Sequence, residues 1–139
     1  MSKAWYKDPT AAQAINRVMR ETKNGKNIRR GDIFYIKDEE TVTGSEQEQH
    51  RPAVIVSNNE CNKVSPVVEV VFLTTKYKTP LPTHTTVKGI IKSTALCEQI
   101  HSISVHRLGK FIRTCTVTEM HKIDECLLVS LGLDKRRVL

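Results

Sequence analysis

A polar stretch, Gly44-Ser45-Glu46-Gln47-Glu48-Gln49-His50-Arg51-Pro52, runs directly into the apolar segment Ala53-Val54-Ile55-Val56. A single arginine therefore stands where a polar loop becomes a strand, with its backbone restricted by the proline after it. Arginine suits a phosphate, because its planar fork of donors matches the oxygens of that group. It is a poor base, since its pKa lies above ~12. His50, beside Arg51, is of the one residue type that ordinarily titrates near neutrality. It is a candidate acid or base, and the plainer alternative is a solvent-facing loop histidine, because neighbours on a strand point to opposite faces. Cys97 and His101 lie four apart and would share a face of a straight strand, yet two ligands do not make a zinc site. The chain has no GxSxG elbow and no glycine-rich phosphate loop. Neither a metal nor a cofactor is expected.

The elements that must position Arg51 follow from the rest of the chain. Its 139 residues suit one domain, and 39% hydrophobic with 27% charged residues is ordinary for a soluble globular chain. No apolar run approaches the ~18 residues of a membrane span. Four cysteines without CxxC spacing, and an N-terminus without an apolar core, point to reduced thiols in the cytoplasm. The net charge of +7 is uneven: residues 1–30 carry +6, residues 31–133 carry −1 and residues 134–139 carry +2. The centre of the chain is thus nearly neutral, and any anion site there must work by placement rather than by overall basicity.

Asp8 and Pro9 open a helix, Ala11, Ile15, Val18 and Met19 give it an apolar stripe, and Asn24-Gly25 closes it. Its other face carries Arg17, Arg20 and Lys23. That face is either solvated charge on a docked helix or a basic arm for phosphates. Lys26 to Arg30 reads as a linker. Strands are expected at Asp32–Ile36, Ala53–Val56, Val67–Thr75, Thr85–Val87, Ser93–Ile103 and Arg107–Cys115. An acidic loop lies at Asp38–Glu40, and a turn runs from Asn58 to Pro66. A final helix starts at a Thr118 cap, shows Met120, Ile123, Leu127, Leu128 and Leu131 on one face and ends at Gly132. The class is α+β, mainly β. Short strands that must hide their edges call for a small SH3-like barrel or a strongly curved antiparallel sheet. A C-terminal amphipathic helix and an extra N-terminal helix flank it.

Seven short blocks in one order resemble the MazF/PemK family of toxin endoribonucleases. They are Arg30-Gly31-Asp32-Ile33, Gly44-Ser45-Glu46-Gln47 with Arg51-Pro52-Ala53-Val54-Ile55-Val56-Ser57-Asn58, Asn62-Lys63-Val64-Ser65-Pro66 before the strand ending at Leu73-Thr74-Thr75, Leu81-Pro82-Thr83-His84, Cys97-Glu98-Gln99-Ile100, Arg107-Leu108, and Ser130-Leu131-Gly132-Leu133. The resemblance divides the chain into a helical extension at 1–28, an endoribonuclease-like domain at 29–133 and a basic tail at 134–139. It implies a homodimeric, metal-independent enzyme that cuts single-stranded RNA, often mRNA. It also implies neutralisation by a cognate antitoxin, with which it would bind DNA.

The resemblance also carries roles. Arg51 matches the family's catalytic arginine and Thr74 its catalytic threonine. Ser45, Glu46 and Gln47 match a loop over the RNA groove, and Glu98 and Gln99 a strand that lines it. The implied chemistry is attack of the ribose 2′-hydroxyl on phosphorus, giving a 2′,3′-cyclic phosphate and a 5′-hydroxyl, with Arg51 as an electrostatic clamp. The plainer reading of the loop and strand residues is that they satisfy turns and strands. Relatives often carry glycines where this chain has Glu48-Gln49-His50, a stiffer and more acidic lead into Arg51. The alternative function is a non-catalytic module of the same fold, binding RNA or inhibiting a topoisomerase.

Overall fold

The computed structural model describes residues 28–37, 51–76, 78–88 and 91–135. The expected N-terminal helix, the acidic loop at Asp38–Glu40, the loop residues Ser45, Glu46, Gln47 and His50, and the end of the basic tail lie outside the described residues.

Six strands form one antiparallel sheet: β1 (Asp32–Ile36), β2 (Arg51–Ile55), β3 (Val67–Thr74), β4 (His84–Lys88), β5 (Lys92–Ser104) and β6 (Leu108–Thr114). Their spatial order is β4-β5-β3-β2-β1-β6. β5 and β6 are separated in sequence only by the three-residue 3₁₀ turn Val105–Arg107, yet β3, β2 and β1 lie between them in the sheet. A flat sheet cannot make that connection, so the sheet curls until the end of β5 meets the start of β6. Backbone bonds seal the meeting point: Val105 donates to Pro66 and Lys37 donates to the Arg107 carbonyl. The curved sheet is thus present, but among the described residues no ladder closes it into a complete barrel, and β4 and β6 are its edges.

The curl creates two cores. Inside it, Phe34, Ile36, Ala53, Ile55, Val68, Val70, Phe72, Ile103 and Leu108 pack together. On the outer face, Ile33, Val54, Val71, Leu73, Val87, Ala95 and Cys97 meet the helix α2 (Val117–Ser130) through Ile123 and Cys126. β2 and β3 are buried on both faces, which is why Ala53 to Ile55 and Val70 to Leu73 are uninterrupted apolar runs. Gly109 is forced by the close β1–β6 approach: a Cβ there would sit 2.9 Å from the Tyr35 carbonyl oxygen.

Several boundaries differ from expectation. The turn after Asn58 contains a short helix, α1 (Asn59–Val64), because the Asn58 side chain accepts from the Cys61 N–H and caps it. The cap of α2 is Thr116, not Thr118. Thr116 and Glu119 each accept the other's backbone N–H in a capping box. Leu128 and Leu131 are exposed rather than packed, and Cys126 takes the core position instead. The segment before β1 is no free linker. Ile28 is 1% exposed in the inner core, and Arg30 bonds the Val56 carbonyl and pairs with Asp124 at 2.7 Å.

Glu119 ties three elements together. Beyond its capping role it accepts the Lys88 N–H of β4 and a two-pronged pair of bonds from Arg113 of β6, at 3.0 and 2.8 Å. Burial alone would raise its pKa, but the Arg113 guanidinium and the two backbone donors outweigh that and hold it at about 2.

Candidate functional site

Arg51 is the first residue of β2 and pairs with Ile36 of β1. Side chains alternate along a strand, so Arg51 emerges on the same face as Ala53, the inner face of the curl. Ala53 lies opposite Phe72 of β3. The Arg51 guanidinium carbon sits 3.9 Å from the centroid of the Phe72 ring, within cation–π range. Phe72 is 4% exposed and belongs to the inner core, so it is a platform for a charge that otherwise reaches into solvent.

Thr74 follows Phe72 by two residues and shares its face. Continuing the β2–β3 register places it across from Arg51. Its Oγ1 accepts the Lys76 N–H at 3.2 Å, which orients the hydroxyl oxygen at the end of β3. Thr74 pairs in turn with Thr94 of β5, and Thr94 with Thr86 of β4. A row of hydroxyl side chains therefore leads away from Arg51 across three strands.

The β3–β5 ladder breaks beside this row. Val71 pairs with Ile100, but Leu73 already pairs with Ala95. β3 has the single residue Phe72 where β5 has Leu96 to Gln99. This irregularity makes Glu98 and Gln99 protrude, and both are exposed. Glu98 is held by His84 Nε2 at 3.0 Å and by the Thr83 hydroxyl at 3.1 Å. Burial acts to raise the Glu98 pKa, but the bonds from His84, from its own backbone and from Thr83 carry it below the usual value. The carboxylate is thus a fixed acceptor. His84 Nδ1 is buried without a hydrogen-bond partner.

The same irregularity reverses the expectation for Cys97 and His101. They do not share a face: Cys97 packs in the outer core beside α2, whereas His101 lies against Phe72 from the inner face, rings edge to face with centroids 4.9 Å apart. Burial, with Cys126 adjacent, pushes the Cys97 thiol up to about 12, and burial does the same to Cys115. Neither thiol is a nucleophile at neutral pH. Among the described residues no group of three or more His, Cys, Asp or Glu side chains could hold a metal ion. None of the described helices is long and apolar enough to cross a membrane.

Of the residues singled out in the sequence, Arg51 and Thr74 share one face of adjacent strands, and Glu98 and Gln99 stand on the neighbouring irregularity. Ser45, Glu46, Gln47 and His50 lie outside the described residues. The sequence reading missed Phe72 and His101 as neighbours of Arg51. Phe72 looked like core, which it also is, and His101 reaches this face only through the break in β5.

Comparison with solved structures gives the same architecture. An endoribonuclease from a mycobacterial species is 27% identical, with a TM-score of 0.64, over 78% of this chain and 95% of that one. A mycobacterial endoribonuclease in complex with its cognate antitoxin is 28% identical, with a TM-score of 0.64, over 76% of this chain and 96% of the other. A MazE–MazF structure from Deinococcus radiodurans, 15% identical with a TM-score of 0.63 over 78% of this chain and 99% of that one, shares the fold. A family model described as PemK-like, MazF-like toxin of type II toxin–antitoxin system matches residues 29–131. This chain, with its inner-face arginine and threonine, belongs to that PemK-like, MazF-like toxin family.

Proposed function

We propose that the protein is a toxin endoribonuclease that cuts single-stranded RNA without a metal, with Arg51 and Thr74 as its catalytic residues. The observation that carries the reading is the placement of Arg51 over Phe72, on the face it shares with Thr74. In this mechanism the ribose 2′-hydroxyl attacks the adjacent phosphorus. Charge grows on the non-bridging oxygens, and the guanidinium and the Thr74 hydroxyl donate to them. Donors fixed in advance where charge develops lower a barrier most effectively. The P–O5′ bond then breaks, leaving a 2′,3′-cyclic phosphate and a 5′-hydroxyl.

Glu98, fixed by His84 and Thr83, and Gln99 read base edges of the splayed strand, as carboxylates and amides can. Ser45, Glu46 and Gln47 contribute a loop over the same RNA. The protein acts in the cytoplasm as a homodimer, and a cognate antitoxin neutralises it. A mycobacterial relative in complex with its cognate antitoxin supports that partner. The test is incubation of the purified protein with a long RNA in EDTA, followed by mapping of 5′ ends. Discrete cuts that disappear in Arg51→Ala and Thr74→Ala support the proposal. Intact RNA across diverse sequences refutes it and leaves a binding module of the same fold.

A further inference from the structure

The proposed reaction needs a group that accepts the 2′-hydroxyl proton. An arginine is unsuited to that task, because a guanidinium offers donors and no acceptor. Thr74 is no better, since a neutral hydroxyl is a very weak base. The histidines among the described residues can be sorted by position. His84 has its Nε2 engaged by Glu98 and its Nδ1 buried. His121 stands on α2, against the outer face, and pairs with Glu125 at 3.2 Å. His106 lies in the 3₁₀ turn at the far end of β5, beyond Ile103 and Val105. His101 alone of these adjoins the Arg51 platform.

The geometry is specific. Phe72 has Arg51 over its ring at 3.9 Å and His101 against it at 4.9 Å. Guanidinium and imidazole cannot be farther apart than those two distances combined. A single phosphodiester and its ribose bridge such a gap. His101 is exposed, so its ring is open to a ligand, and it lies across from Val70 on the inner face. Among the described residues, three charged groups on neighbouring strand positions have assigned places. Glu69 of β3 points to the outer face, where it accepts from Ser102 at 2.7 and 2.8 Å. Glu98 of β5 is engaged by His84 and Thr83, and Arg51 of β2 lies across the Phe72 ring.

We propose that His101 is the general base of the reaction, taking the proton from the 2′-hydroxyl of the nucleotide whose phosphate Arg51 holds; this rests on the endoribonuclease reading above. As the proton passes to the imidazole, the 2′-oxygen bonds to phosphorus. The P–O5′ bond breaks and the departing 5′-oxygen takes a proton from water. The imidazolium returns its proton to solvent. Histidine is the residue type for such a transfer near neutral pH.

The test compares wild type, His101→Ala and His101→Gln by single-turnover cleavage of a short RNA across pH 5 to 9. Binding is measured in parallel on the same RNA carrying a 2′-deoxy residue at the cut. His101→Ala is expected to cleave about 10²–10⁴-fold more slowly and to lose the acidic limb of the pH–rate profile. It should bind the deoxy RNA as wild type does and regain rate on addition of free imidazole. An unchanged acidic limb in both variants overturns the assignment. So does a loss confined to binding, which would make His101 a recognition residue. If wild type cuts and Arg51→Ala does not, while His101→Ala retains the wild-type profile, this inference alone fails. If wild type cuts nothing, the endoribonuclease reading fails and takes this inference with it.

Discussion

The guanidinium of Arg51 rests over the ring of Phe72, 3.9 Å from its centroid, at the start of a strand whose last three residues are buried. One arginine is thereby given a defined position in a domain whose central residues carry almost no net charge. Replacing Phe72 by leucine keeps an apolar core residue and removes the aromatic face. A cation–π contact at an exposed site contributes about 0.5–1 kcal/mol. If that term acts through Arg51 placement, the cleavage rate of Phe72→Leu should fall about two- to five-fold. The control is the Arg51→Ala background, where the part of the loss that acts through Arg51 should vanish and any remaining loss belongs to His101, which packs on the same ring.

Glu98 is predicted to govern where RNA is cut more than how fast. Its carboxylate is fixed by His84 and Thr83 on the break in β5, beside rather than on the Arg51 and Thr74 row. Mapping 5′ ends produced by Glu98→Ala on a long RNA should show a changed or relaxed set of sites. An unchanged site pattern with a large fall in rate would assign Glu98 to the chemistry instead.

The inner-face arginine and threonine were legible in the sequence because each ends or begins a strongly marked strand. Arg51 precedes an unbroken apolar run, and Thr74 closes the most β-branched stretch of the chain. Strand order was less legible. The curl follows from the three-residue link between β5 and β6, whose significance depends on knowing that three strands lie between them. The position of His101 was illegible for a local reason. Alternation along Cys97 to His101 predicts a shared face, and the excess residues of β5 opposite Phe72 reverse that parity. Nothing in the side-chain pattern of Cys97-Glu98-Gln99-Ile100 announces the break. The α2 cap was misplaced by two residues because Thr116 and Thr118 are equally good caps in isolation. Glu119, three residues after Thr116, decides between them by completing the capping box.

Stability should respond to acid through Glu119. Its folded pKa of about 2 lies below the ordinary 4.5. A depressed carboxyl pKa contributes stability that is fully present above the unfolded value and is lost as pH falls toward the folded one. Glu119→Gln should therefore lower Tm at pH 7, and the gap from wild type should narrow as pH drops from 4.5 toward 2. Thermal melts across that window check it. A gap that stays constant with pH would show that the charge on Glu119 is not what joins β4, β6 and α2.

Ile28 belongs to the inner core rather than to an appended segment. That side chain is 1% exposed among Phe34, Val105 and Leu108 of the inner core. A protein starting after Asn27 should keep the wild-type set of RNA cuts with a modest loss of stability or affinity. Ile28→Ala in the full chain should cost about 2–5 kcal/mol of stability, measured by urea unfolding. A truncation after Asn27 that changed the cut sites would instead place the extension in RNA recognition.

The most direct test of the central claim is the single-turnover rate of cleavage at one mapped site, in EDTA, for wild type, Arg51→Ala and Thr74→Ala. The account predicts that wild type cuts equally well with and without EDTA and leaves 2′,3′-cyclic phosphate and 5′-hydroxyl ends. Arg51→Ala should be slower by about 10²–10³-fold, the loss typical of removing one donor to a developing oxyanion, and Thr74→Ala should be slower too. A wild-type rate abolished by EDTA, or an Arg51→Ala rate close to that of wild type, would contradict it.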